Sequence, residues 1–364
     1  MTAPRRQFAF LVHFGTDLRY ELGQGWPVFR AIPEQVLQLA VARLPLPPIV
    51  WSTVHFSDQP NVPAGWIVLV PCLAREMLEL GQAMRLVLGR IDQALDKSIG
   101  LGAGMVGLGA LTASVTRAGQ RLAGRTDVAV TNGNAFTVFM TFEGIKKLLP
   151  MCAAREPHIA VVGATGSVGA CLVQLLARQR IAARLTLVAR HQGRLDALAE
   201  QVHALAPDVH VCATNNMAQV READLVVLLT SSTEALLRSE HLKHGAIVLD
   251  DTQPRNTDPS LQQQRPDVLI VDGGLVAVPG MRLEKPISLP AGYAYACLAE
   301  TMLLALAGHE RHFSIGVPKL EQVEYIASLA PKYRHLGFTL GPLHSFGRPL
   351  LEGRTLTLKQ EMSL

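Results

Sequence analysis

The stretch His158-Ile-Ala-Val-Val-Gly-Ala-Thr-Gly-Ser-Val-Gly169 constrains the fold of this chain more than any other. Ile159 to Val162 are all apolar, as in a strand buried on both faces of a parallel sheet. A glycine turn follows, and then Ala170–Arg178, where apolar residues recur at helical spacing; the helix is expected to start near Val168. Gly163, Gly166 and Gly169 stand at GxxGxxG spacing, the mark of a nucleotide-binding βαβ unit. The first glycine permits the tight turn, the second lets backbone approach a pyrophosphate, and the third lets helix pack closely on strand. Gly163, Ala164, Thr165, Gly166, Ser167, Val168 and Gly169 are therefore the candidate phosphate cradle, at a helix N-terminus where N–H groups and the positive dipole end converge.

A second strand, Leu185–Arg190, arrives about 20 residues after the glycines, where such folds read the ribose. An acidic residue there would bind the 2′-hydroxyl of NAD. This chain has Arg190-His191-Gln192-Gly193-Arg194 instead. A guanidinium is planar, always charged and able to bond bidentately, which suits a 2′-phosphate, so Arg190 and Arg194 point to NADPH. A solvated basic loop would read the same way. Further strands are expected at 209–212, 224–230, 246–249 and 268–271, with helices between, for example over 193–204. This alternation predicts an α/β fold with a Rossmann-type, doubly wound parallel sheet. Ligands bind beyond the strand C-termini of such sheets. Thr230, Ser231, Asp251, Gly273 and Gly274 lie there and are candidate cofactor contacts, although these residue types also make ordinary caps and turns.

At 364 residues the chain is long enough for two domains. The expected division is an N-terminal α/β substrate domain over 1–155, the nucleotide domain over 156–290, and C-terminal helices with an irregular tail over 291–364. In the first region strands are expected at 8–13, 49–55 and 66–70, and a long amphipathic helix over 74–95. The uncharged segment 99–116 approaches membrane-spanning length. Glycines at 100, 102, 104, 107 and 109 make it a poor helix, and two short strands are expected instead. A net charge of +4, with no basic block interleaved with aromatics, argues against nucleic acid as partner. The five cysteines form no CxxC, so neither a disulfide framework nor a metal site is indicated, and a reducing cytoplasm is expected. Apolar residues make up 49% of the chain, high for a soluble protein, which leaves peripheral membrane association open.

Cys297 lies in the first turns of an apolar helix expected over 292–308. The positive dipole end there lowers a thiol's pKa and raises its thiolate fraction. Glu300 and Thr301 follow one turn later on the same face. A nucleophilic cysteine with a nicotinamide cofactor suggests acyl transfer onto sulfur and then hydride reduction of the thioester. A lone cysteine in such a helix is also ordinary core filler. Cys171 and Cys212 fall inside predicted packing elements. His309 and His312, just after the helix, are candidate proton donors.

The runs 161–169 and 187–195 and the segment Tyr295–Leu304 resemble the long-chain acyl-[acyl carrier protein] reductases, which make fatty aldehydes. Gly107–Thr112, Thr131-Asn-Gly-Asn-Ala-Phe-Thr137, Val271–Val276 and Phe313–Gly316 match in the same order, so the resemblance covers about 75–330, with a weaker echo over 10–13. It implies a ping-pong reaction with Cys297 as nucleophile, NADPH as reductant, and an acyl carrier protein or CoA thioester as substrate. Gly133, Asn134 and Thr137 then become candidate substrate contacts. Ala135 and Phe136 replace a Thr-His pair of the family, and Asp250–Pro254 replaces an Asp-Gly-Gly-Tyr-Pro loop. A carrier protein is acidic, so exposed basic residues should dock it; Arg85, Arg90, Lys146 and Lys147 are candidates. An aldehyde-consuming enzyme is a further possible partner. Two other readings remain open: an NADP-dependent dehydrogenase of a small polar substrate with a structural Cys297, and a nucleotide-binding protein without turnover.

Overall fold

The apolar run from Phe8 to Val12 is a central strand, which is why it carries no polar face. In the computed structural model, residues 4–15, 17–78, 84–230, 236–252 and 255–350 are described. Strand β1 (Gln7–Phe14) pairs in parallel with β3 (Gln59–Leu73) on one side and β4 (Ala103–Leu108) on the other. Strand β2 (Ile49–Phe56) runs antiparallel beside β3, and β5 (Ala129–Thr131) parallel beside β4. Helices α1 (Leu18–Gly25) and α2 (Glu34–Arg43) bury Leu18, Leu22, Leu37 and Val41 with Phe14, Leu69 and Leu73.

The helix expected over 74–95 is divided into α3 (Ala74–Leu78) and α4 (Met84–Gly100); residues 79–83 lie outside the described residues. Val87, Ile91, Ala94, Leu95 and Ser98 form the buried stripe of α4, three and four residues apart, against Leu11, Val68 and Val106. The glycine-rich segment holds one strand rather than two. Its first residues complete α4, Gly102 turns the chain at φ +96°, β4 follows, and α5 (Leu111–Val115) takes the rest.

After α6 (Asn134–Leu148) strands and helices alternate, with only 3-10 turns, among the described residues, joining β8 to β9 and β9 to β10: β6 (His158–Val162), α7 (Ser167–Arg178), β7 (Arg184–Val188), α8 (Gln192–Leu205), β8 (His210–Thr214), β9 (Leu225–Leu228), β10 (Ile247–Asp250), α9 (Pro259–Gln264) and β11 (Leu269–Asp272). The sheet order is β11-β10-β9-β6-β7-β8, and all pairs are parallel. This is the doubly wound Rossmann order, with its switch point between β6 and β9. The α/β class read from sequence is what the chain adopts.

The chain then returns to the first sheet. A short strand, Met281–Leu283, pairs antiparallel with β2, and α10 (Ala296–Leu306) packs on β1 and β4. Two compact units result: residues to 136 with 276–316 and 325–339, and residues 137–275 with 317–324 and the described residues from 340. Boundaries near 155 and 290 therefore differ from those of the structure. The pairing of 281–283 with β2 draws the helix bearing Cys297 into the first unit rather than a separate C-terminal segment.

Candidate active site

In the Rossmann unit the glycine turn closes the switch point. The N–H groups of Gly163 and Ala164 both donate to Val188 O, at 2.8 and 3.1 Å, which ties the turn to the last residue of β7. Gly163 has φ +87°, and a Cβ there would stand 2.8 Å from Leu229 C and Thr230 N at the end of β9. A Cβ on Gly169 would meet Gly163 O and stand 3.0 Å from Ala164 Cα, so this glycine sets the close helix–turn packing. Ala164 is fully buried and serves packing. Thr165, Ser167 and Val168 keep partial exposure and Gly166 is exposed, so the reachable part of the cradle is 165–168, at the start of α7. These residues fit a dinucleotide pyrophosphate: the backbone is bare where side chains would block approach. Arg190 and Arg194 lie exposed just past β7 and within the first turn of α8, and neither forms a salt bridge among the described residues.

Asp251 follows β10. Thr141 Oγ1 donates to its carboxylate, Gly273 and Gly274 pack directly on it, and a Cβ on Gly273 would lie 2.7 Å from Asp251 Cβ. The residue edge is partly exposed while the carboxyl group itself is enclosed. Burial pushes that carboxyl up to about 7, against the lowering hydrogen bond from Thr141 and with a push from Asp250. Asp250 has a different task. It accepts from Thr252, Asn256 and Thr257 and holds the loop after β10. Ser231 and residues 253–254 lie outside the described residues.

In the first unit, Cys297 is the second residue of α10, whose N-cap is Tyr295. Every other residue of α10 is buried; Cys297 alone keeps partial exposure. Thr301 Oγ1 donates to Cys297 O at 3.0 Å and also lies against Gly107, which explains a glycine in β4: a Cβ there would meet Thr301 and stand 2.7 Å from Phe10 Cδ2. Gly133, at φ +78°, sits on the cysteine; a Cβ on it would overlap Cys297 Cβ and lie 2.5 Å from Cys297 Cα. The turn from β5 into α6 therefore covers the nucleophile candidate with bare backbone. Asn132 Oδ1 accepts from Asn134 N at 2.9 Å, while Asn132 Nδ2 donates to Ala118 O and Gly316 O, each at 3.0 Å. The structure thus brings Gly133, Asn134 and Cys297 together. Thr137 belongs to the second unit, where its carbonyl accepts from Thr141 at 2.8 Å.

Glu300, one turn on from Cys297 and without a role in the sequence reading, is fully buried. Its carboxylate accepts from Thr131 Oγ1, from Ser314 Oγ at 2.7 Å, from Phe136 N at 2.7 Å and from Ala135 N. Burial pushes it above the usual carboxylate range, and these donors pull it back. Three of the other thiols are poor nucleophile candidates. Burial raises Cys72 and Cys152 to about 11 and Cys171 to about 12.

Three sequence candidates take structural positions. Arg90 is 4% exposed and donates to the carbonyls of Pro71, Val41 and Leu44, so it docks nothing. His312 Nδ1 accepts from Val130 N at 3.0 Å, which leaves Nε2 to donate to Arg125 O at 2.9 Å; the ring ties the segment after α10 to β5 and to the residues just before it. His309 packs edge-on against Phe313, and burial lowers its pKa. Arg85 is exposed, and Lys146 pairs with Glu143 at 2.6 Å.

Comparison with known proteins agrees with this geometry at a coarse level. Residues 146–272 match the family model for shikimate / quinate 5-dehydrogenase. Aminotransferase PigE of a Serratia species is 29% identical over 309 residues, 81% of this chain and 34% of that protein. The long-chain acyl-[acyl-carrier-protein] reductase of Synechococcus elongatus is 26% identical over 215 residues, 56% of this chain and 60% of that protein. The chain thus spans about a third of the first relative and three fifths of the second. Quinate dehydrogenase from Corynebacterium glutamicum in complex with NAD aligns over 89% of this chain and 99% of its own, at a TM-score of 0.39 and 15% identity. The chain carries the NAD(P)-binding fold of the oxidoreductases. No helix among the described residues is long and apolar enough to cross a membrane.

Proposed function

We propose that this chain reduces a fatty acyl thioester to the aldehyde, with NADPH as reductant and Cys297 as the acyl acceptor. One observation carries the reading: in a helix otherwise buried throughout, the residue left accessible is a cysteine at the positive end of the helix dipole, overlaid by a glycine turn. The Cys297 thiolate attacks the acyl carbonyl carbon, the bond from that carbon to the carrier sulfur breaks, and the carrier leaves as its thiol with the proton Cys297 gave up. When bound, NADPH supplies the hydride that replaces the Cys297 sulfur on the acyl carbon and frees the aldehyde. Gly163 to Gly169 would hold its pyrophosphate and Arg190 and Arg194 its 2′-phosphate, with Thr230, Asp251, Gly273 and Gly274 at the strand ends. Gly133, Asn134 and Thr137 would orient the substrate.

The similarity to a long-chain acyl-[acyl-carrier-protein] reductase over 56% of the chain supports a carrier-bound or CoA-bound fatty acid as substrate. An aminotransferase uses a carbonyl compound, so a related segment within PigE fits a step that yields an aldehyde for a consuming enzyme. The match to the shikimate / quinate model favours a second reading, in which a small polar hydroxy acid is oxidised and Cys297 is structural. Incubation with NADPH and acyl carrier protein or CoA thioesters, with the aldehyde trapped and identified by mass, separates the two. Aldehyde release supports thioester reduction. NADP reduction by a hydroxy acid, with no thioester consumed, would replace it with the second reading.

A further inference from the structure

We infer that Glu300 is a positioning residue for the nucleophile: its carboxylate clasps both ends of the β5–α6 turn and so seats Gly133 on Cys297. The proposal rests on the reading of Cys297 as the acyl acceptor. Of the four donors to this carboxylate, Thr131 lies at the end of β5 before the turn, and Ala135 and Phe136 lie in the first turn of α6 after it. Gly133 is the apex between them and abuts the Cα and Cβ of Cys297. Glu300 and Cys297 are three residues apart on α10, so they share a helix face. One helix turn thus carries both the nucleophile and the grip that holds the backbone over it.

The fourth donor, Ser314, stands at φ +45°, a left-handed conformation that disfavours a residue with a side chain. Its hydroxyl reaches both Glu300 Oε1 and Asn132 Oδ1 at 2.7 Å, so it extends the clasp to the residue before Gly133. A buried carboxylate is costly unless its oxygens are paired, and here Oε1 takes the Thr131 and Ser314 hydroxyls and Oε2 takes Phe136 N. The local strain and the buried charge are both spent on the turn that covers Cys297.

The hydrogen-bond geometry distinguishes positioning from proton transfer. In Glu300→Gln the amide oxygen can accept from Ala135 and Phe136 N–H, while its NH2 donates to the Thr131 and Ser314 hydroxyls, which can rotate to accept. The clasp survives without charge. In Glu300→Asp the charge survives, but the carboxylate is withdrawn by one methylene and cannot hold both ends. Glu300→Ala removes the clasp.

The test measures the rate of Cys297 acylation by a long-chain acyl-CoA, without NADPH, and the rate of Cys297 alkylation by iodoacetamide, both read by intact mass in the full chain. Positioning predicts that Gln loses no more than about tenfold in acylation, whereas Asp and Ala lose about a hundredfold, as displacements near 1 Å do. NADPH binding, read by fluorescence, should be retained in all three. Asp faster than Gln would overturn the proposal in favour of a charge or proton-transfer role. Ala acylating at the unsubstituted rate would also overturn it. Should Ala fail to fold, the order of Gln and Asp still decides. If the unsubstituted chain is not acylated at all, the acyl-acceptor reading fails. The alkylation rates then test the clasp separately, and unchanged alkylation across the variants would reject it.

Discussion

Asp251 offers the sharpest test of the Rossmann unit's electrostatics. Its carboxyl is pushed up to about 7 from the ordinary 3.8, chiefly by burial beneath Gly273 and Gly274. The folded state therefore keeps a proton that the unfolded chain releases once pH exceeds about 4. Stability should fall by about 1.4 kcal/mol for each pH unit between those two values and then level off. The whole span amounts to about 4 kcal/mol, an upper bound because the residue edge meets solvent. Asp251→Asn removes the titration and keeps an acceptor for Thr141 Oγ1. The variant should unfold near the unsubstituted temperature at pH 4.5 and at a higher one above pH 7. At about 2–4 °C per kcal/mol for a unit of this size, the gap could reach about 10 °C. Differential scanning calorimetry from pH 4.5 to 8 reads it, following the transition that added NADPH raises. A gap that stays constant over that range, or closes as pH rises, would refute the enclosed carboxyl.

Other consequences are separately measurable. Replacing Arg190 and Arg194 together by alanine should weaken NADPH binding by about 10–100-fold and leave NADH unaffected, as expected for lost charge-assisted bonds to a 2′-phosphate; equal loss for both nucleotides in a fluorescence titration would remove that assignment. Arg90→Met should cost about 3 kcal/mol in urea unfolding, because the carbonyls of Pro71, Val41 and Leu44 lose a buried charged donor. A surface role for Arg90 would predict no change in stability.

The Rossmann unit was legible because its signals are local. Apolar strands, amphipathic helices and three glycines at fixed spacing specify βαβ units one after another, and β6 to β11 formed where the alternation put them. The first unit was less legible because its order is set by distant pairings. Nothing near Met281–Leu283 announces that it will pair with Val54–Phe56, yet that pairing draws α10 and Cys297 into this unit. The glycines of 99–116 read as turn formers, whereas Gly107 is there to admit Thr301 and Phe10. Arg90 and Glu300 share a signal that sequence reasoning passed over. Each is a charge on a stripe or helix otherwise apolar enough to be buried, and a charge there must bring partners with it. The reach of the thiol was legible only as a helix position; its cover by Gly133 depends on a turn more than 160 residues away.

The acyl-cysteine itself is the most direct test. Incubating the full chain with a long-chain acyl-CoA or acyl carrier protein, without NADPH, and mapping peptides by mass should show one acyl group on Cys297. Adding NADPH should discharge it as aldehyde, and Cys297→Ser should show neither adduct nor aldehyde while still binding NADPH. Aldehyde formed with Cys297 never acylated, or formed by the serine variant at the unsubstituted rate, would contradict the account.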